Sequence, residues 1–161
     1  MRKKYWYWIL TLGWMGIIFY SSSTPYEKQD MRPFLGNYID LSFLEPVLSG
    51  ISFTYHQSVV SVETLGIAGF IEFFIRKGAH FTVFFLLTCL FYIALKKATH
   101  IQKKQAILIS FLLTSAYAMV DEIHQVITPN RTPYIGDVFI DVFGAFVAVI
   151  CFIIFGQKRK A

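Results

Sequence analysis

The sequence is short of charge, and most of all of negative charge. Ten Asp and Glu stand against fifteen Lys and Arg in 161 residues, so charged side chains make up 16% of the chain and hydrophobic ones 55%. An average soluble domain carries roughly 25% charged residues; the shortage excludes an ordinary soluble domain and points to an integral membrane protein. Cysteine is scarce as well. Cys89 and Cys151 both fall inside apolar stretches, which excludes an extracytoplasmic disulfide framework and leaves them as small packing residues. No His-Glu-x-x-His signature is present, so no metal and no cofactor are expected. There is no internal repeat or low-complexity tract, and one compact membrane domain over residues 1–161 is the simplest organisation.

What the chain does have is four long apolar stretches, at about 5–23, 76–95, 105–127 and 134–155. A hydrocarbon core needs ~20 apolar residues; the first stretch reaches that length only with Ser21, Ser22 and Ser23. The expected fold is an all-α integral membrane protein, four transmembrane helices in one bundle, with a long extracytoplasmic loop over 24–75. Orientation follows from the basic flanks, because Lys and Arg resist translocation. Arg2, Lys3, Lys4, Lys96, Lys97, Lys103, Lys104, Lys158, Arg159 and Lys160 fall on one side with no acidic residue, and that side is read as cytoplasmic, both termini included. All ten acidic residues fall on the other side, with Lys28, Arg32, Arg76, Lys77 and Arg131. The pI near 9.2 is therefore a topology signal, and no nucleic-acid partner is expected, since such a partner calls for a basic soluble face.

Tyr5, Trp6, Tyr7 and Trp8 read as an aromatic belt, so the first stretch is taken as a permanent helix rather than a cleaved signal. The loop is too long for a simple connection. Its apolar residues Leu41, Phe43, Leu44, Val47, Leu48, Ile51 and Phe53 suit a short element lying against the membrane. Residues 58–75 suit a helix leading into the second span, with Gly66 and Gly69 weakening that reading.

Polar residues in the outer halves of the spans are where chemistry is expected, because ionisable groups at such depth need partners or a wet cavity. In the second span Arg76, Lys77 and His80 form a cationic corner, His80 lying between the other two at ~100° per residue. In the third, Tyr117, Asp121, Glu122, His124 and Gln125 share an arc of roughly 160°. In the fourth, Asp137 and Asp141 stand one turn apart, and Gly144, Ala145 and Ala148 continue their stripe with small residues that permit close helix approach. Arg131, in the tight loop between the last two spans, offers a planar fork for a carboxylate or phosphate. No ionisable residue occupies the inner half of any span, which argues against a channel or transporter path.

These residues, in this order, resemble the VanZ-like family. The matching elements are Phe19-Tyr-Ser-Ser-Ser, Arg76-Lys-Gly-Ala-His-Phe81, Asp121-Glu-Ile-His-Gln125 with Pro129-Asn-Arg131, and Asp137, Asp141 and Gly144. The chain departs from the family's pattern at Asp141, where asparagine is frequent, and at Phe84, where an aromatic hydroxyl is frequent. The resemblance implies a bacterial cell membrane location and a role in the cell envelope or in the response to glycopeptides such as teicoplanin.

Three uses of the polar cluster are open. It could bind or modulate an envelope lipid, a cell-wall precursor or a glycopeptide at the outer leaflet, which is the leading reading. It could be a membrane-embedded transferase or hydrolase acting on an envelope lipid or glycan, with His80 or His124 and a carboxylate as acid and base. It could be a structural network alone, although interhelical hydrogen bonds in membranes contribute only ~0.6 kcal/mol on average. Membrane lipids are expected partners in every case; the sequence does not set the oligomeric state.

Overall fold

The computed structural model describes residues 3–129, 131 and 134–155. Arg2, Asn130, Thr132, Pro133 and the basic residues 158–160 lie outside them. The described chain is helical except for one small hairpin. Its order is α1 (Lys3–Ser22), a 3-10 turn (Tyr26–Lys28), α2 (Arg32–Tyr38), a second 3-10 turn (Ser42–Leu44), α3 (Glu45–Leu48), β1 (Ser52–Tyr55), β2 (Ser58–Ser61), α4 (Val62–Ala98), α5 (Lys103–Val126) and α6 (Ile135–Phe155). Two compact units result, Met1–Pro25 with His80–Ala161, and Tyr26–Ala79.

Three of the helices, α4, α5 and α6, are long and apolar enough to cross a membrane. The sequence leads to four, and α1 accounts for the difference. It is 20 residues long, but Tyr5, Trp6, Tyr7, Trp8, Trp14 and Tyr20 replace aliphatic residues along it and lower its hydropathy.

The first unit buries polar side chains beside a hydrophobic core and exposes large apolar side chains. Phe84, Leu87 and Phe91 of α4 pack with Ile18 of α1, Ala118 of α5 and Val138 of α6. Thr11, Thr88, Ser110, Thr114, Asp121, Gln125 and Asp141 are buried, while Leu108, Leu112, Val120, Ile123, Phe139, Phe143 and Ile154 are exposed. In water that distribution would be an aggregation hazard; in lipid it is the expected one. The buried stripe of α5 (Ala106, Ser110, Thr114, Ala118, Asp121, Gln125) recurs at three- and four-residue spacing, and that of α6 (Val138, Asp141, Gly144, Ala145, Ala148) does likewise. Both are small in their middles and acidic toward one end.

Hydrogen bonds between helices fix the register. Thr88 Oγ1 donates to Thr114 Oγ1 (3.1 Å), Trp14 Nε1 to the Val83 carbonyl (3.0 Å), and the Tyr117 hydroxyl to the Met15 carbonyl (2.7 Å). Two of the three tie α1 to the other helices. Trp8 meets Phe91 edge to face, and Tyr92 stacks on Phe152 at 4.3 Å. The C-terminal ends of α1 and α5 therefore gather with His80 and the start of α6, and the direction of the helices alternates.

The second unit replaces the expected loop with folded structure. Pro33 and Pro46 open α2 and α3 in the first turn, where a missing N–H is harmless. The strands β1 and β2 pair antiparallel, Phe53 opposite Val60 and Tyr55 opposite Ser58. Val60, Val62 and Phe70 form the core, with Leu48, Phe53, Tyr55, Ile67 and Phe73 packed against it. Residues 58–75 are thus not helical throughout: 58–61 form a strand, because Val59 and Val60 are β-branched and pair with β1. Ser61 then caps α4 reciprocally, its hydroxyl accepting the Thr64 N–H (3.2 Å) and its own N–H donating to Thr64 Oγ1 (3.3 Å). Helix α4 starts well before residue 76 and kinks at Gly66, whose φ of 68° suits a residue without Cβ.

The hairpin turn is His56–Gln57, with φ of 46° and 63°. Such turns favour Asn-Gly, and each L-residue there carries strain of about 1–2 kcal/mol. Gln57→Gly is expected to slow hydrogen exchange at the hairpin amides about five-fold, equivalent to ~1 kcal/mol. An unchanged exchange rate would mean that the turn is unstrained.

Candidate functional site

The polar residues of the first unit meet where α1, α5 and α6 come together with the His80 end of α4. Asp121, nearly fully buried at 3% exposure, is the centre of one group. Its Oδ2 accepts from Ser22 Oγ (2.9 Å) on α1 and from Gln125 Nε2 (3.0 Å) one turn along α5. Its Oδ1 is buried and has no hydrogen-bond partner among the described residues. Asp141 is the centre of the other, with Oδ1 3.1 Å from His80 Nδ1. Asp141 is 2% exposed and His80 20% exposed at the side chain. The two groups are tied together through the backbone: Glu122, next to Asp121 on α5, accepts the N–H of Tyr134 just before α6, the helix that carries Asp137 and Asp141.

The remaining candidates of this unit hold its edges. The Glu122 carboxylate accepts the Tyr134 N–H, tying α5 to the start of α6. Asp137 sits in the first turn of α6, where negative charge complements the helix dipole. His124 stacks on Phe19 with ring centroids 4.0 Å apart and planes 13° from parallel, and its Nδ1 is buried without a partner among the described residues. Arg131 is turned onto α1: Nε donates to the Thr24 carbonyl (3.0 Å) and an Nη to the Ser21 carbonyl (2.9 Å). The fork expected to clamp an anion thus caps the C-terminal end of α1, where unsatisfied carbonyls and the helix dipole favour a cation.

Arg76 and Lys77 belong to the second unit. The Arg76 guanidinium lies over the Tyr26 ring at 4.3 Å, and the Lys77 ammonium over the Tyr55 ring at 4.5 Å. Beside them is a polar knot that sequence reasoning did not single out. Glu72, 3% exposed, accepts from the Tyr26 hydroxyl (3.0 Å) and the Met31 N–H (3.2 Å), and pairs with Arg32 Nε at 3.7 Å. Arg32 also holds Asp30 through Nε (2.9 Å) and an Nη (2.7 Å). These bonds hold the partly buried Asp30 carboxyl down at about 2, so it stays ionised. Burial, with the Glu72 bond adding to it, pushes the Tyr26 phenol up. The missed signal was burial itself: Glu72 sits among Phe70, Phe73 and Phe74, where a carboxylate must be satisfied. Ser22 was missed as a ligand of Asp121 for a different reason, since a serine near a helix end has many bland uses.

No group of three or more His, Cys, Asp or Glu side chains among the described residues is arranged to hold a metal ion. What the site offers is hydrogen-bond acceptance and proton exchange, set into helices that present apolar side chains to their surroundings.

An apolar exterior around buried polar side chains, with helices long enough to span a bilayer, defines the class: a helical membrane protein with ionisable residues inside the helix packing. A family model described as VanZ/LLP1 matches residues 7–156, nearly the whole chain, and the protein belongs to that family. Comparison with curated proteins and with solved structures finds no significant match.

Proposed function

We propose that this protein is a multi-pass component of the bacterial cell membrane in which α1 is a fourth span and both termini are cytoplasmic. The whole chain acts as one VanZ-like domain, and residues 24–75 are extracytoplasmic. Three interhelical contacts favour a spanning α1: Trp14 and Tyr117 each bridge it to another helix, and Ser22 reaches the buried Asp121. A cleaved segment would leave those partners open.

The first unit's site residues His80, Asp121, Glu122, His124, Gln125, Arg131, Asp137 and Asp141 face the outer leaflet, where they bind or modulate an envelope lipid, a cell-wall precursor or a glycopeptide; Arg76 and Lys77 are candidates of the second unit taken by itself. We read that activity as part of the cell-envelope and teicoplanin response, the role that the family resemblance suggests. The observation that carries this reading is the buried Oδ1 of Asp121, which has no hydrogen-bond partner among the described residues. Leaving such an acceptor unmet costs about 1–3 kcal/mol, a cost that a hydroxyl or amine of a bound molecule would remove.

A second reading, a transferase or hydrolase on an envelope lipid or glycan, is favoured by one pair. His80 against the buried Asp141 is the arrangement in which a carboxylate orients an imidazole for acid-base work.

In a glycopeptide-sensitive Gram-positive host, the wild-type chain is expected to raise the tolerated teicoplanin concentration. At matched membrane levels, Glu122→Gln, Asp137→Asn and Arg131→Ala are expected to lose most of that protection. His80→Gln and His124→Gln separate the two readings, because retained protection in both removes acid-base catalysis. Protection by all the variants equal to wild type would remove the cluster from the function.

A further inference from the structure

Away from the polar cluster, α5 and α6 enclose a groove of about 480 Å³, a volume within the range of small-ligand sites. Lys104, Leu108 and Phe111 line it from α5, and Phe146, Val149 and Ile153 from α6. Each set recurs at three- and four-residue spacing, so the groove runs along the helices between two continuous stripes. From Lys104 to Phe111 it covers roughly 10 Å of helix rise. Leu108 is 58% exposed and Ile153 47%; the groove opens to the surroundings of the helices. Among the described residues that line it, the only charged one is Lys104, at the start of α5.

A groove apolar along its length and cationic at one end matches an amphiphile with a hydrocarbon tail and a negative head. Lys104 lies in the first turn of α5, next to Lys103 and close in sequence to Lys96 and Lys97, and no acidic residue is near it in sequence. Positive charge at a helix N-terminus opposes the helix dipole, so an anion beside Lys104 is favoured on two counts. Lys96 is already turned to the Ile101 carbonyl at 2.9 Å, whereas no hydrogen bond or ion pair of Lys104 exists among the described residues. We propose that the α5–α6 groove binds one acyl chain of an anionic phospholipid whose phosphate pairs with Lys104. This site is independent of the polar cluster and stands whatever that cluster does.

The test uses the full chain in a zwitterionic detergent, titrated with dioleoyl phosphatidylglycerol or dioleoyl phosphatidylcholine, with bound lipid counted by native mass spectrometry. Phosphatidylglycerol is expected to bind about five-fold tighter, the preference that ~1 kcal/mol from one lysine near an anionic headgroup would give. Lys104→Gln should bring the two lipids level. Lys97→Gln, on the same basic connection but outside the groove, should keep the preference. Leu108→Trp, placed at an exposed position to fill the groove, should weaken both lipids, with circular dichroism confirming intact helices. Equal affinities in the wild-type chain, or equal loss in Lys97→Gln and Lys104→Gln, would overturn the proposal in favour of unspecific attraction to the basic connection. A wild-type dimer that Leu108→Trp converts to lipid-free monomer would overturn it in favour of a second copy of this chain.

Discussion

Gly144→Leu is expected to prevent stable assembly of the helices, and Gly144→Ala to destabilise them by about 3 kcal/mol, the upper end of ordinary overpacking. A Cβ added at Gly144 would collide with the backbone carbonyl of Phe81, with the Phe81 carbonyl carbon and Cα close behind it. A flexible side chain could swing away; the backbone of α4 cannot without moving α4 from α6. The neighbouring Phe81–Phe143 ring contact at 5.8 Å, and the His80–Asp141 pair one residue before Phe81, would move with it. The measurement is unfolding of the purified chain in mixed micelles. Phe139→Leu serves as control, at a position 70% exposed on the outer face of α6. A Gly144→Ala midpoint equal to that of the control would show that α4 and α6 are not in such close approach.

Asp141 separates charge from hydrogen bonding. Asp141→Leu leaves His80 Nδ1 facing a hydrocarbon side chain and is expected to cost about 3 kcal/mol, the lower end for breaking a buried pair because His80 is partly exposed. Asp141→Asn keeps an oxygen that can accept from Nδ1 and removes only the carboxylate. It is expected to cost less than about 1 kcal/mol, the net value of a single hydrogen bond. The resemblance points the same way, since asparagine is frequent here in the family. Equal losses in the two variants would show that the negative charge, rather than the hydrogen bond, holds His80 in place.

Much of this molecule was legible from residue spacing. The stretches expected at 105–127 and 134–155 are α5 (Lys103–Val126) and α6 (Ile135–Phe155) to within two residues at each end, because long aliphatic runs between basic or proline-containing breaks leave few alternatives. Angular spacing placed Asp121 with Gln125 and Asp137 with Asp141, and a stripe of small residues after Asp141 foretold a close helix approach. The hairpin was not legible: His56–Gln57 carries no turn signature, and Ser52–Tyr55 and Ser58–Ser61 are too short to show a period. The early start of α4 was obscured by Gly66 and Gly69, which lower helix propensity although a cap at Ser61 overrides it. For Arg131, chemical type and a place in the tight loop pointed to an available fork, but not to the Ser21 and Thr24 carbonyls that it meets.

The sequence by itself determined that this is a membrane protein, and which helix faces carry polar groups, because hydropathy and helical periodicity are local properties of the chain. Only the tertiary structure decided the partners: that Asp121 meets Ser22, that Asp141 meets His80, that Glu72 meets Tyr26 and Arg32, and that Gly144 lies against Phe81. Those choices depend on which residues distant in sequence arrive at the same place. In an apolar surrounding every polar group must find a neighbour, and periodicity gives the direction in which a side chain points but not what stands opposite it.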